Sequence, residues 1–543
     1  MGLDWQPRAV PPELASAYRR EGFWGDESLG ALLCGRLAAR PEQTFKLRSD
    51  VRPWTGTFGD VLDGSRQVAA GLAATGVGPG DVVAFQLPNW VEAALLFYGA
   101  SLLGAVVVPI VHFYGAKEVR YILDRSGARV LVTADQFRGI DYLASLDTFV
   151  ADLAALEQVF VVGSNAGRWT PFSKLLSSSS SDAASPLSPA TVDPASAALV
   201  GWTSGTTAEP KGVVHSHRSI VAEARQLAGA RSGPPTLIGA PVGHAIGLLG
   251  GLIIPVLDGL PVQLIDTWDP GVVLAAMLED KVSAATGATF FLTSLLDHPD
   301  FGPDHVELMQ VATMGGAPVP RAVADRTTAL GMSMIRMYGS TEHPSTTGSV
   351  HRVDPPEKGM FTDGRPLPGV ELRLVDEDGR DVDVGVAGEI LSRGPDCFEG
   401  YTDPALTADA FVDDGWYVTG DVGVLDPDGY LTITDRKKDI IIRGGENVSA
   451  AEVEELLLRM PGVAEVAVVA APDRRLGEHA CAFVRMLPGA SGLDLPAVQS
   501  HLLAAGLARQ KCPEELRAVP DFPRTASGKV QKFVLRQQLR EGS

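Results

Sequence analysis

Cysteine is scarce in this chain: Cys34, Cys397, Cys481 and Cys512 are the only four in 543 residues, far apart and with no C-x-x-C pair. That spacing speaks against a disulfide framework and a cysteine-clasped metal, and fits unpaired thiols in a reducing compartment. The opening M-G-L-D-W-Q-P-R lacks a charged stretch followed by an apolar one, so the cytoplasm is the expected location. Positive charge is short as well. With 46 Lys and Arg against 66 Asp and Glu, the net charge is −20, which argues against nonspecific nucleic-acid binding. An anionic substrate then needs a local cluster of cations and backbone amides. No H-E-x-x-H or similar metal spacing occurs. One run, Ala93–Val111, lacks charge altogether, yet it contains Gly99, Gly104 and Pro109. Asn89-x-x-Glu92 reads as a capping box before it, so a buried helix, a turn and a strand Ala105–Pro109 are expected, not an integral membrane span.

What is present describes a globular α/β protein. Hydrophobic residues make up 45% and charged residues 21%, and the length calls for more than one core. From Gln43 to Val162 helices (Val61–Ala74, Trp90–Leu103, Lys117–Arg125) alternate with strands (Val82–Leu87, Val106–Pro109, Val130–Thr133, Val159–Val162). Such alternation predicts a parallel sheet with both faces covered. Leu175–Pro194, with serine at every position from Ser177 to Ser181, reads as a mobile surface loop. A second αβ series runs through Thr236–Asp266 and Met332–Met337, with Thr313–Pro318 as a tight turn. From Gly364 the turns P-L-P-G, D-E-D-G and D-P-D-G mark a small β-rich unit. After Asp435–Asp439 come a strand Ile440–Arg443, a Gly444-Gly445 turn and Ser449-x-x-Glu452, read as a capping box for a helix to Met460. The organisation predicted is a large N-terminal domain, 1–437, of αβ sheets plus the β-rich subdomain, and a small mobile α+β domain, 438–543.

The chemistry centres on Ala197–His217. Ala197–Trp202 reads as a buried strand, and Gly212–His215 restarts an extended pattern. Between them lie Thr203, Ser204, Gly205, Thr206 and Thr207, with Lys211 at the far end. Hydroxyls, the amides of a Gly-containing turn and an ammonium are donors suited to phosphate oxygens. A Walker A loop is excluded, because its Lys follows the Gly and leads into a helix. Taken alone, this loop is equally a plain polar hairpin.

Other segments decide between the two. T-S-G-T-T-A-E-P-K-G (Thr203–Gly212), G-G-A-P (Gly315–Pro318), Y-G-S-T-E (Tyr338–Glu342) and W-Y-V-T-G-D (Trp416–Asp421) follow one another. D-R-K-K-D (Asp435–Asp439), G-G-E-N (Gly444–Asn447) and P-R-T-A-S-G-K (Pro523–Lys529) come after them. In that order they resemble the adenylate-forming superfamily of acyl- and aryl-CoA ligases, nonribosomal adenylation domains and firefly-type luciferase, over nearly the whole chain.

The resemblance implies ATP, Mg²⁺, coenzyme A and a carboxylic acid as ligands. It places the β- and γ-phosphates on Thr203–Lys211 and Mg²⁺ on Glu342, with Thr341 beside it. Gly316, Ala317 and Pro318 would line the adenine pocket, with Tyr338 stacking on the base and Gly339 next to it. Asp421 would hold the ribose hydroxyls and Arg436 the ribose or phosphate. Lys529 would bridge the acid's carboxylate and the α-phosphate. The small domain would turn about Lys438, exchanging Lys529 for the Gly444, Gly445 and Glu446 edge, past which a pantetheine arm runs.

One position departs from the pattern: Ala208 stands where the family usually has glycine, and a positive φ there would strain it by about 1 kcal/mol. His244 matches the position fronting the acyl tunnel, while His215, His217 and His343 read as structural. Amino-acid-activating relatives carry an Asp near His244, but only Val242, Gly243, Ala245, Ile246 and Gly247 surround it here. A buried ammonium would go unpaired, so an apolar acid is expected: medium- or long-chain fatty, alicyclic or aryl. Leu248, Phe290, Met314 and Met337 are candidate lining residues. The alternative acceptor is a carrier-protein phosphopantetheine, and both a monomer and a homodimer stay open.

Overall fold

A computed structural model gives the fold and describes residues 7–177, 187–203, 210–229, 233–444, 446–525 and 528–541. Ser204, Gly205, Thr206, Thr207, Ala208 and Gly445, and most of the serine run, lie outside those residues. The alternating segment forms one eight-stranded sheet. Its order is Gly400–Tyr401, Lys211–Ser216, Ala197–Thr203, Val106–Ile110, Val82–Gln86, Val130–Ala134, Gln158–Val162, Thr170–Pro171. The strands from Ala197–Thr203 onward in that order are parallel, and the two on the other side are antiparallel. Three of the parallel strands, Val82–Gln86, Val106–Ile110 and Val130–Ala134, are buried throughout, as a sheet covered on both faces requires.

The uncharged run is a helix, Val91–Leu102, with every residue from Glu92 to Leu102 buried, followed by the strand Val106–Ile110. A helix apolar all round must be enclosed all round, and its neighbour Leu29–Ala39 comes so close that a Cβ on Gly30 would lie 2.0 Å from Ser101 O. The predicted capping box is not formed. Trp90 is the N-cap without a side-chain bond. Asn89 instead donates to Ala240 O and Ile265 O and accepts from Val242 N, while Glu92 pairs with Arg52. Long-range backbone partners outcompete the local cap because all of them are buried. Among the described residues no helix is long and apolar enough to cross a membrane.

Smaller corrections follow the same logic. Thr57 and Asp60 form a reciprocal capping box, so the next helix starts at Phe58. Leu175 belongs to a helical turn, Ser173–Leu176, and is buried, so the chain enters the predicted loop later than expected. Thr313–Gly315 lies in the strand Val311–Gly315, and only from Gly316 (φ +77°) does the chain turn. The glycine-rich helix after Ile238 contains a π-helical stretch, Leu248–Ile253.

Among the described residues, four larger sheets and a two-stranded ribbon, Gln136–Phe137 with Ile140–Asp141, complete the fold. Leu237–Ile238, Val262–Ile265, Thr44–Arg48 and Trp54–Thr57 form one; Thr286–Gly287, Val311–Gly315, Ser333–Tyr338, Thr347–Gly348 and Arg365–Pro366 form another. The β-rich unit pairs Glu371–Val375, Gly388–Arg393, Trp416–Leu425, Phe411–Val412 and Leu431–Arg436. From Ile441 onward the strands pair only among themselves in the described residues: Glu446–Val448, Ile441–Arg443, Gly477–Met486, Val463–Asp473 and Glu515–Ala518. Alternate residues of this sheet feed two separate cores. Val468, Ala480 and Ala482 pack with the helices Ala450–Leu457 and Leu495–Ala504, whereas Val469, Cys481 and Phe483 pack with Leu535 and Leu539 of Lys532–Glu541. Only half of the box at Ser449 exists: its hydroxyl caps Glu452 N, while the Glu452 side chain reaches Lys511.

Candidate active site

The large sheets, the β-rich unit and the C-terminal sheet surround a cavity of about 2490 Å³. Of the described residues assigned above, Thr203, Lys211, His244, Gly316, Ala317, Pro318, Tyr338, Gly339, Thr341, Glu342, Asp421, Arg436 and Lys529 all reach it, whereas Gly444, Glu446 and Leu248 do not.

Antiparallel pairing sets the first wall. Thr203 faces Lys211 across the mouth of the loop, and Val213 pairs with Tyr401 on the outer side. The Lys211 ammonium therefore sits 5.0 Å from the centre of the Tyr401 ring, a cation–π contact. Tyr401 Oη in turn donates to Glu342 Oε1 at 2.8 Å, so one phenol ties the cationic strand to the buried carboxylate.

The turn carrying Glu342 is fixed at its backbone. His215 Nε2 donates to Thr341 O at 2.7 Å, which sets the tautomer, and burial keeps His215 low and neutral. Phe398 N donates to Glu342 O at 2.8 Å and Ser340 N to His343 O at 3.0 Å. A side chain on Gly339 is excluded, since its Cβ would stand 1.9 Å from Pro344 O.

The third wall joins two sheets. Tyr338 Oη donates to Asp421 Oδ2 at 2.8 Å, and Arg436 Nε lies 2.7 Å from Asp421 Oδ1. Burial, reinforced by Asp421, pushes the Tyr338 phenol well up, so it stays a donor. Each Asp421 oxygen keeps a lone pair for a further hydroxyl.

Lys529 enters from the C-terminal unit on a loop whose ends pair, Thr525 N to Lys529 O at 2.7 Å. Burial first, then the Arg436 guanidinium, pull its ammonium down to about 7, with Asp421 opposing. A lysine held this way is a charge waiting for an anion. The residues flanking Lys438 are anchored on both sides: Lys437 N donates to Gly420 O at 3.0 Å, and Asp439 pairs with Arg536 at 2.7 Å.

The chain matches the AMP-binding enzyme family over residues 38–402 and its C-terminal domain over 452–529. It belongs to the AMP-binding enzyme family. Among similar proteins, the medium-chain fatty-acid–CoA ligase of Escherichia coli (strain K12) is 34% identical over 531 residues, 96% of this chain and 92% of the relative. The 3-[(3aS,4S,7aS)-7a-methyl-1,5-dioxo-octahydro-1H-inden-4-yl]propanoyl:CoA ligase of Rhodococcus jostii (strain RHA1) is 37% identical over 497 residues, 89% of this chain and 93% of the relative. ATP-bound MatB from Rhodopseudomonas palustris superposes with a TM-score of 0.82 at 28% identity, over 94% of this chain and 99% of MatB. ATP and coenzyme A are substrates of AMP-binding acyl-CoA ligases, and the mixed α/β fold with its small C-terminal domain is the family's.

In this AMP-binding enzyme the cavity lining next to His244 includes the apolar Ala245, Ile246 and Leu249. His244 caps the short helix Ala245–Gly247, its Nδ1 accepting from Ile246 N at 3.4 Å, and burial pulls it to about 4, so it is neutral near pH 7. Phe290, Met314 and Met337 line the large cavity, but Leu248 turns away into the core beside a separate cavity of about 30 Å³. Gly444 (φ +60°) starts the turn between Ile441–Arg443 and Glu446–Val448, and Glu446 is exposed, away from the cavity. His215, read as structural, holds the Thr341 carbonyl, whereas Tyr401 on the cavity wall is not marked by the sequence. The G-Y pair at 400–401 carries no chemistry by composition, and only the sheet order reveals its place.

Proposed function

We propose that this chain is an ATP-dependent acyl-CoA ligase that converts an apolar carboxylic acid to its acyl-CoA through acyl-AMP. Residues 1–437 bind nucleotide and acid, and 438–543 form the mobile unit. In the first half-reaction a carboxylate oxygen attacks the α-phosphorus of ATP and pyrophosphate leaves. In the second the thiol sulfur of coenzyme A attacks the acyl carbonyl, AMP leaves, and the thiol proton passes to solvent.

The observation that carries this reading is the convergence of Lys211, Glu342, Asp421, Arg436 and Lys529 on one cavity. Thr203 and Lys211 take the terminal phosphates. Gly316–Pro318 and Tyr338 hold the adenine, and Asp421 with Arg436 the ribose. Lys529 neutralises the attacking carboxylate and the α-phosphate, whose approach brings two anions together. Mg²⁺ binding typically uses one or two carboxylates beside substrate phosphates, and Glu342 with the Thr341 side chain fits that donor set. When bound, the ion offsets phosphate charge. His244 fronts the acid, and its neutral imidazole with Ile246, Met314 and Phe290 suits fatty, alicyclic or aryl groups, the classes named for the two relatives above being fatty and polycyclic. The Gly444–Glu446 edge serves the second half-reaction after the small unit turns about Lys438.

A panel of carboxylic acids assayed for AMP release, with and without coenzyme A, tests the reading. Acyl-CoA and AMP should form in equal amounts from an apolar acid. Activity with a phosphopantetheinylated carrier protein but not with free coenzyme A would instead select the carrier-loading reaction.

A further inference from the structure

Behind the Glu342 turn lies a chain of buried polar side chains that none of the steps above uses. Glu223 comes from the helix His217–Leu227, Asp396 from the segment between the strands Gly388–Arg393 and Gly400–Tyr401, and His343 directly follows Glu342. All three are buried, with Glu223 and Asp396 at 0% exposure. Glu223 Oε1 accepts the Ser345 hydroxyl at 2.5 Å, and its carboxyl group lies against that of Asp396, where Glu223 Oε2 and Asp396 Oδ2 are both buried with no other hydrogen-bond partner among the described residues. His343 bridges onward, Nε2 to Asp396 Oδ1 at 3.3 Å and Nδ1 to Ser392 Oγ at 2.9 Å. Gly394 makes room for the imidazole: a Cβ there would stand 2.7 Å from His343 Nε2.

Two carboxyl groups can hydrogen-bond only with a proton between them. Burial, then the charge of Asp396, pushes Glu223 well up, while the partners of Asp396, His343 foremost, hold that carboxyl low against its own burial. Burial thus favours the protonated form at Glu223, the form that can donate to Asp396. Taking this many polar groups out of water costs stability that apolar side chains of the same volume would not. What the network supplies instead is rigidity at one place: Ser345 and His343 flank Pro344 just past Glu342, and Asp396 precedes Phe398 and Tyr401, which bond the Glu342 carbonyl and carboxylate.

We infer that Glu223, Asp396 and His343 are positioning residues, a buried relay that fixes the Glu342 carboxylate in the orientation in which it receives Mg²⁺·ATP. This rests on the reading of Glu342 given above. The relay acts as a fixed scaffold and not as a titrating switch. Partners behind a metal ligand typically change metal affinity by about 10- to 100-fold when removed.

The test is calorimetric titration of the full chain with ATP at graded free Mg²⁺, alongside thermal unfolding and the KM of the acid. E342Q should abolish the tightening of ATP binding by Mg²⁺. E223L and D396N should each raise the Mg²⁺ midpoint about tenfold, with Mg²⁺-free ATP binding and the KM of the acid unchanged. E223Q keeps a neutral donor to Asp396 and an acceptor for Ser345, and should stay within about twofold of the wild type. Lowered thermal stability with an unmoved Mg²⁺ midpoint in D396N would overturn the inference, as would an E223Q midpoint as high as that of E223L. Should E223L fail to fold, D396N against E223Q decides. An E342Q midpoint equal to the wild type would instead overturn the role of Glu342 itself, and the relay's role with it.

Discussion

The Tyr338 hydroxyl donates to Asp421 Oδ2 at 2.8 Å across 83 residues of sequence, joining the end of the central strand of one sheet to an inner strand of another. Arg436 holds the other oxygen of the same buried carboxylate. Tyr338→Phe keeps the ring and removes the donor. A lost bond to a buried charge costs about 1–2 kcal/mol, so a roughly tenfold rise in the KM for ATP is expected. The KM of the acid should not move. Nucleotide titration of the variant checks this, and an unchanged ATP affinity would show that Asp421 needs no second anchor.

In the proposed mechanism Lys529 is the cation that the C-terminal unit delivers. Replacing it with alanine should lower ATP–pyrophosphate exchange by about 10³-fold, in the range seen when a preorganised transition-state donor is removed. Acyl-CoA formation from separately prepared acyl-AMP and coenzyme A should survive, because the proposed mechanism gives that step to the Gly444 edge instead. Loss of both half-reactions together would mean that Lys529 holds the fold of the tail and not the transition state.

Its proton gives a pH dependence whose two consequences run in opposite directions. The Lys529 ammonium is pulled from 10.5 to about 7, by burial first and then by Arg436. In the free enzyme the charge is lost as pH rises through about 7, so kcat/KM for the acid should fall above that value. Bound anions favour the charged form, so kcat should hold to higher pH. For stability the unfolded chain keeps the proton up to 10.5, and between about 7 and 10.5 it binds more protons than the folded chain. The contribution of Lys529 to folding therefore improves across that window and is least favourable below it. Lys529→Arg stays charged throughout and should flatten the alkaline limb of whatever activity it retains; an identical limb would assign the titration to another group.

Much of this was legible in the chain because local chemistry specified it. The strands of the main sheet carry unbroken Val and Leu runs, and the hairpin around Thr203 and Lys211 is marked by its hydroxyls and glycine. The failures share a cause. Asn89 has the right neighbour for a cap, but buried carbonyls at Ala240 and Ile265 claim its amide. Tyr401 gains its role from pairing beside Val213, and Glu223 meets Asp396 only when a helix and a loop 173 positions apart converge. Side chains recruited across sheets leave no periodic trace, so a single sequence shows their presence and not their partners.

The docked position of the tail rests in part on Phe290, which is 41% exposed. Gly528 (φ +82°) brings its backbone against this ring, where an added Cβ would lie 3.4 Å from Phe290 Cβ, and the Arg524 guanidinium stands 5.7 Å from the ring centre. Gly528 is constrained by its left-handed backbone, and its packing on the ring is ordinary van der Waals contact. Phe290→Ala should loosen the arrangement that presents Lys529 and slow pyrophosphate exchange about tenfold, the order expected when roughly 1.4 kcal/mol of docking contact is lost. Thioester formation from acyl-AMP should be unaffected, since in the proposed mechanism the tail leaves Phe290 for that step. Because Phe290 also lines the cavity, the KM of the acid must be followed in the same experiment. A change confined to that KM would place Phe290 in the acyl pocket alone and remove it from the docking surface.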